Sequence, residues 1–184
     1  GLCCTTNPIW ELPGLKIPKI MQEMNYGCGS TVHARDLSKN PKMLYVGVGG
    51  GMELLQFSYF NRQRGGVVGV DVVDEMLEAS AANFKIAEVQ NPWFKSEFVT
   101  LKKGDALNLP VDDNSIDVAA QNCLFNIFKA EDLKRAIEEM YRVLTPHGKL
   151  VMSDPTCEQQ MNDTLRDDAR LRALCLSGSL PIKD

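Results

Sequence analysis

The chain predicts an α/β domain built on a doubly wound parallel sheet, and three observations carry that expectation. From Lys42 onward short apolar runs alternate with amphipathic stretches, the order that lays helices on both faces of a parallel sheet. The first apolar run ends in a glycine-rich loop, Val46-Gly47-Val48-Gly49-Gly50-Gly51, that leads into a helical pattern. The second ends at Asp71, 20 residues after Gly51, where a carboxylate can accept hydrogen bonds from ribose hydroxyls.

Each element follows from its local pattern. Met43-Leu44-Tyr45-Val46 reads as a buried first strand and Met52 to about Asn61 as a helix. Val67-Val68-Gly69-Val70 is a second strand, and the helix from about Asp74 to Glu88 opens with acidic residues, where the helix dipole favours them. Phe98-Val99-Thr100-Leu101 is a third strand; Ile116-Asp117-Val118-Ala119-Ala120 is a fourth, running into Gln121-Asn122-Cys123. Between Glu131 and Leu144, the residues Leu133, Ile137, Met140, Tyr141 and Leu144 fall on one helical face. Pro146-His147-Gly148 predicts a turn into a fifth strand, Lys149-Leu150-Val151-Met152, and a last helix is expected from about Met161 to Leu174.

Residues 1–40 have no sustained period and contain Pro8, Pro13 and Pro18, whose fixed φ and missing N–H interrupt regular structure. Their apolar side chains, among them Ile9, Trp10, Leu15, Ile17 and Met21, are too frequent for a disordered tail. An irregular N-terminal arm packing over residues 41–184 as a lid is expected, with one short helix near Ala34 to Ser38.

The 184 residues fit one medium domain with a sizeable core. A net charge of -4 and a pI near 5.3, without basic runs interleaved with aromatics, argue against extended nucleic-acid binding. No apolar stretch is long enough for a membrane span and no leader pattern opens the chain, so a cytoplasmic monomer is expected.

Six cysteines remain, and three have contexts that suggest working thiols: Tyr26-Gly27-Cys28-Gly29, Asn122-Cys123-Leu124-Phe125-Asn126 and Leu174-Cys175-Leu176-Ser177-Gly178. Zinc usually needs closely spaced cysteine pairs, and only Cys3-Cys4 are near neighbours. The blander reading is that each is a small buried hydrophobe, and for Cys157 that or plain exposure is preferred. With only His33 and His147 available, no convincing histidine-carboxylate dyad exists. The methionines and Trp10, Trp93 and Phe94 are assigned to packing.

The loop departs from the dinucleotide fingerprint, since its glycines fall at G-x-G-x-G. With Gly104-Asp105-Ala106 after the third strand, it resembles class I (Rossmann-like) S-adenosylmethionine methyltransferases. Adding Met24-Asn25-Tyr26-Gly27-Cys28-Gly29, the Cys123 segment, Met152-Ser153-Asp154-Pro155 and Leu174 to Leu180, the chain resembles the arsenite S-adenosylmethionine methyltransferase family. The likeness is to its short microbial members tied to arsenosugar synthesis. That resemblance implies S-adenosylmethionine, with S-adenosylhomocysteine as product, held by Gly47, Gly49, Gly50, Gly51, Asp71, Val72, Met76, Gly104, Asp105, Ala106 and Asn122. It implies trivalent arsenic on Cys28, Cys123 and Cys175, and a thiol reductant such as glutathione or thioredoxin. Family members continue into a C-terminal portion that these residues do not contain. Two rivals stand beside it: a methyltransferase for an organic small molecule, and a non-catalytic module that binds arsenicals.

Overall fold

The computed structural model describes residues 12–25, 29–33, 40–159 and 161–181. Five strands, β1 (Met43–Val46), β2 (Val67–Asp71), β3 (Val99–Lys103), β4 (Ile116–Asn122) and β5 (Leu144–Ser153), form one sheet in the order β3-β2-β1-β4-β5. All neighbours are parallel. Strand order reverses between β1 and β4, the place where open parallel sheets leave a crevice for ligands.

The core lies on both sides of this sheet because alternate strand residues point to opposite faces. Met43 and Tyr45 pack with Leu54 and Phe57 of α2 (Met52–Phe60) and Phe84 of α3 (Asp74–Gln90). Leu44 and Val46 pack with Ala136, Met140 and Val143 of α4 (Ala130–Val143). Phe57 is fully buried, and truncating such a ring costs about 3–5 kcal/mol. On the α4 side, the Arg142 guanidinium binds the carbonyls of Leu109 and Val111, while Glu139 accepts from Leu109 N. The loop after β3 is thereby fixed to the helix layer.

Two local expectations are corrected, and a third falls outside the described residues. Within the arm, a helix α1 (Lys19–Glu23) follows Pro18, which fixes φ at -54° ahead of the first turn; the segment Ala34 to Ser38 lies outside the described residues. Pro146-His147-Gly148 is not a separate turn: it is a bulge within β5, where the register to β4 shifts between Ile116 and Val118. The expected helix from Met161 to Leu174 is two short helices, α5 (Asp163–Arg166) and α6 (Ala169–Ala173). Asp168 breaks it, because its carboxylate caps the second piece by accepting from Arg170 N and Leu171 N. Two short strands, β6 (Thr156–Cys157) and β7 (Leu180–Pro181), pair in parallel beside them.

Residues 12–25 dock by specific bonds. The Asn91 side chain accepts from Lys16 N at 2.7 Å and donates to Lys16 O at 2.7 Å, as a neighbouring strand would. Tyr59 OH donates to Pro13 O and Trp93 Nε1 to Gly14 O. Met21 is buried, and its backbone lies against Gly50. Asn91 is fully buried, so Asn91→Ala should cost about 1–3 kcal/mol by leaving the Lys16 amide unmatched. Chemical denaturation reads the loss, and amide exchange should accelerate around Leu15 to Ile20; unchanged exchange there would show that Asn91 does not anchor the arm.

Candidate functional site

The carboxyl ends of β1 and β4 emerge side by side, with Val46 paired to Gln121. After β1 the chain turns through Gly47, Gly49 and Gly51 at φ of 82°, 50° and 83°, values that a side chain resists. A Cβ at Gly49 would meet open space, whereas one at Gly50 would come within 2.9 Å of Met24 and one at Gly51 within 2.9 Å of the Phe84 ring. The loop is therefore packed on its inner side and open at Gly49. From α3, Ser80 Oγ donates to Gly49 O and Asn83 Nδ2 to Gly50 O.

Asp71 completes the loop. Its Oδ2 accepts from Val48 N at 2.8 Å and its Oδ1 from Val73 N at 3.0 Å. Each oxygen retains a second lone pair for a ligand hydroxyl. Gly104 N donates to Asp71 O, and the hydrogen face of Gly104 abuts the Pro110 ring, where a Cβ would lie 2.4 Å from Cδ. Asp105 Oδ1 accepts from Leu107 N. Val72 is 61% exposed on this edge, while Met76 and Ala106 pack partly into the two core layers. Of the predicted nucleoside-binding residues, Gly49, Asp71, Val72 and Asp105 thus stand along the carboxyl edge of β1 to β3. A bound nucleoside would find an apolar face, acceptors and a close backbone there. The loop glycines Gly47, Gly50 and Gly51 shape the turn.

On the other side of the crevice, Asn122 ends β4 and its Nδ2 donates to Gly29 O at 3.2 Å, bringing the arm segment 29–33 onto the strand end. The Asn122 amide also faces the carboxyl of Glu53 in the first turn of α2, which burial pushes above its ordinary range. The Tyr45 hydroxyl lies against that carboxyl and is held well above its ordinary value, first by burial and then by the Glu53 charge.

Cys123 follows at φ 59°, and Cys175 sits at φ 58° in the turn after α6. For a residue with a side chain, each such conformation costs about 1–2 kcal/mol. The two meet: Cys175 Sγ donates to Cys123 O at 2.8 Å. When Cys175 ionises, the hydrogen bond from the Cys123 side chain supports it and lowers its pKa, against burial and the neighbouring Asp154 carboxylate. Cys123, Cys157 and Cys175 are all thiols. Cys157 stands apart in β6, bonded to Ser179 O. Cys28 lies outside the described residues; Gly29, its successor, is the residue that Asn122 docks.

Several site residues escape sequence reasoning. Gln121, Asn126 and Asp154 organise the two cysteine turns, and Gly178 permits their approach, since a Cβ there would fall 1.8 Å from Asn126 O. Asn126, Asp154 and Gly178 stood in the quoted motifs without a role, and Ser80 and Asn83 share one helical face at i, i+3. A cavity of about 800 Å³ lies elsewhere, between the start of α4, α5 and residues 177–181. It has no link to the glycine loop, and the site is placed by the strand ends.

Residues 44–152 match the family described as methyltransferase domain. The arsenite methyltransferase of Aquipseudomonas alcaligenes is 30% identical over 184 residues, covering 97% of this chain and 51% of that protein. A demethylmenaquinone methyltransferase of Staphylococcus epidermidis is 34% identical over 124 residues, covering 66% and 47%. The crystal structure of an arsenic(III) S-adenosylmethionine methyltransferase from Chlamydomonas reinhardtii superposes with a TM-score of 0.77 at 27% identity, covering 89% of this chain and 54% of that one. The fold is the class I methyltransferase fold. The chain spans about half the length of these relatives.

The thiol contact gives a direct test. Cys123→Ala removes the hydrogen bond that supports the Cys175 thiolate, so the pH midpoint of Cys175 alkylation should rise and its rate at neutral pH should fall, with Cys157 as internal control. An unmoved midpoint would mean that the two side chains do not communicate.

Proposed function

The chain belongs to the methyltransferase-domain family, and on that footing we propose that it methylates trivalent arsenic held by cysteine thiolates, with S-adenosylmethionine as donor. The observation that supports this most is the meeting of Cys123 and Cys175 at the strand end facing the glycine loop. An organic acceptor needs no second thiol there. The open Gly49, the Asp71 lone pairs and exposed Val72 suit the adenosine part of the donor.

S-adenosylmethionine, when bound, supplies an electrophilic methyl group on a sulfonium. The protein's part is to bind and orient. Thiolates are soft ligands and select a soft trivalent centre over oxygen-loving ions. As each As–S bond forms, a hydroxide leaves arsenic and departs as water with the thiol proton. The arsenic lone pair stays free to attack, so no general base is required. Cys123 is buried and Cys175 half-buried at this strand end. Cys28 is the third thiol of this proposal and Asn122 its link to the arm. Using the lone pair raises arsenic to the pentavalent state, so a dithiol or paired monothiols must return two electrons before the next transfer; glutathione or thioredoxin has that chemistry.

Likeness to a demethylmenaquinone methyltransferase favours an organic acceptor as the second reading. One experiment separates them. A single turnover with methyl-labelled S-adenosylmethionine and arsenite should place the label on arsenic. Cys123→Ser and Cys175→Ser should each weaken arsenical binding by roughly tenfold or more, because the chelate loses one of its thiolates, with donor affinity unchanged. Normal arsenical affinity in both variants, or label found only on an organic acceptor, would remove the arsenic reading.

A further inference from the structure

Two cysteines 52 residues apart in sequence meet, the Cys175 thiol on the Cys123 carbonyl, both in left-handed backbone that a residue with a side chain avoids. Such outliers persist only where the surroundings over-determine them. At Cys123 the surroundings are polar and explicit. Its own N–H is taken by Ser153 O at 2.8 Å. Gln121, two residues earlier and fully buried, accepts with Oε1 from Leu124 N at 2.8 Å and Phe125 N at 3.4 Å. Its Nε2 donates to Asp154 Oδ2. The same carboxylate is faced by the N–H groups of Phe125 and Asn126. A buried glutamine in a strand is disfavoured against an apolar residue unless both ends of its amide are used. Here both are used, on the turn that follows the thiol.

The same turn holds the other cysteine. Asn126 Nδ2 donates to Pro155 O at 2.9 Å and Cys175 O at 3.4 Å, and its carbonyl lies against the hydrogen face of Gly178. A change in the shape of residues 122–126 would therefore move both thiols.

We propose that Gln121 and Asp154 are positioning residues that preform a two-thiol clamp from Cys123 and Cys175, matched to a trivalent centre with two open valences. This rests on the arsenical reading above and extends it. A preformed pair binds one centre with the effective concentration of the second thiol already in place, whereas a loose pair must first be ordered.

Phenylarsine oxide is the probe, because its arsenic takes two thiols. Two As–S bonds form, the oxygen leaves as water with both thiol protons, and no electrons are transferred. On the full chain without methyl donor, Gln121→Ala and Asp154→Ala should weaken the probe by roughly tenfold or more. Asp154→Asn keeps an oxygen to accept from Gln121 Nε2 and should stay near wild type. Gln121→Glu covers the case in which the alanine variants fail to fold. It keeps Oε1 and sets a second carboxylate against Asp154, so relative to wild type it should bind weakly near neutral pH and recover in mild acid. S-adenosylmethionine affinity and the alkylation rate of Cys157 should not move in any of them. If the wild type binds the probe no better than Cys123→Ser, the arsenical reading itself fails. If the wild type binds tightly and the folded Gln121 and Asp154 variants bind equally well at every pH, the positioning proposal is overturned and the arsenical reading stands.

Discussion

The parallel pairing of β1 with β4 is the constraint on which the rest depends. Because Val46 lies beside Gln121, the glycine loop and the Cys123 turn leave the sheet as neighbours, and a Cβ at Gly47 would touch Leu124 at 3.7 Å. One turn accommodates a close backbone approach, the other a thiol. Their adjacency follows from the reversal of strand order and needs no dedicated element to bring the two turns together. The remaining site residues refine that adjacency: Ser80 and Asn83 hold the loop carbonyls, Asp71 its amide, and Asn122 the arm.

The two sides of the crevice are built differently. On the glycine-loop side the backbone is relieved by glycine, so left-handed geometry is cheap. On the other side the residues at φ 59° and 58° are cysteines, which carry a side chain in that geometry. The strain is then offset by a polar cluster of buried Gln121 and Asn126 with half-buried Asp154, whose hydrogen bonds fix the turns. Its polar groups converge on the amides flanking Cys123.

Strands β1 to β4, helices α2 to α4 and the glycine loop were legible in the sequence because each obeys a local period and ends in its own signal. The break at Asp168 was not: the apolar spacing from Leu165 to Leu174 continues across it, and a capping carboxylate leaves that spacing intact. Pro146 read as a turn, but β5 is the edge of the described sheet, where a bulge tolerates proline. Cys123 and Cys175 stood out through their neighbours, and the structure joins them; Cys28 falls outside the described residues. Asp154 stood out only as part of a motif and Gln121 only as a strand end; their roles gave no signal, since these arise from a pairing 33 residues apart that only the β4–β5 register creates.

Arsenic X-ray absorption on the chain loaded with one equivalent of arsenite tests the central claim most directly, because it reports the atoms bound to the acceptor and needs no turnover. A first shell of sulfur, at least two atoms, that loses one sulfur in Cys123→Ser and one in Cys175→Ser is the predicted result. An oxygen shell, or a sulfur shell that survives both substitutions together, would contradict the assignment of these thiols as the acceptor's ligands.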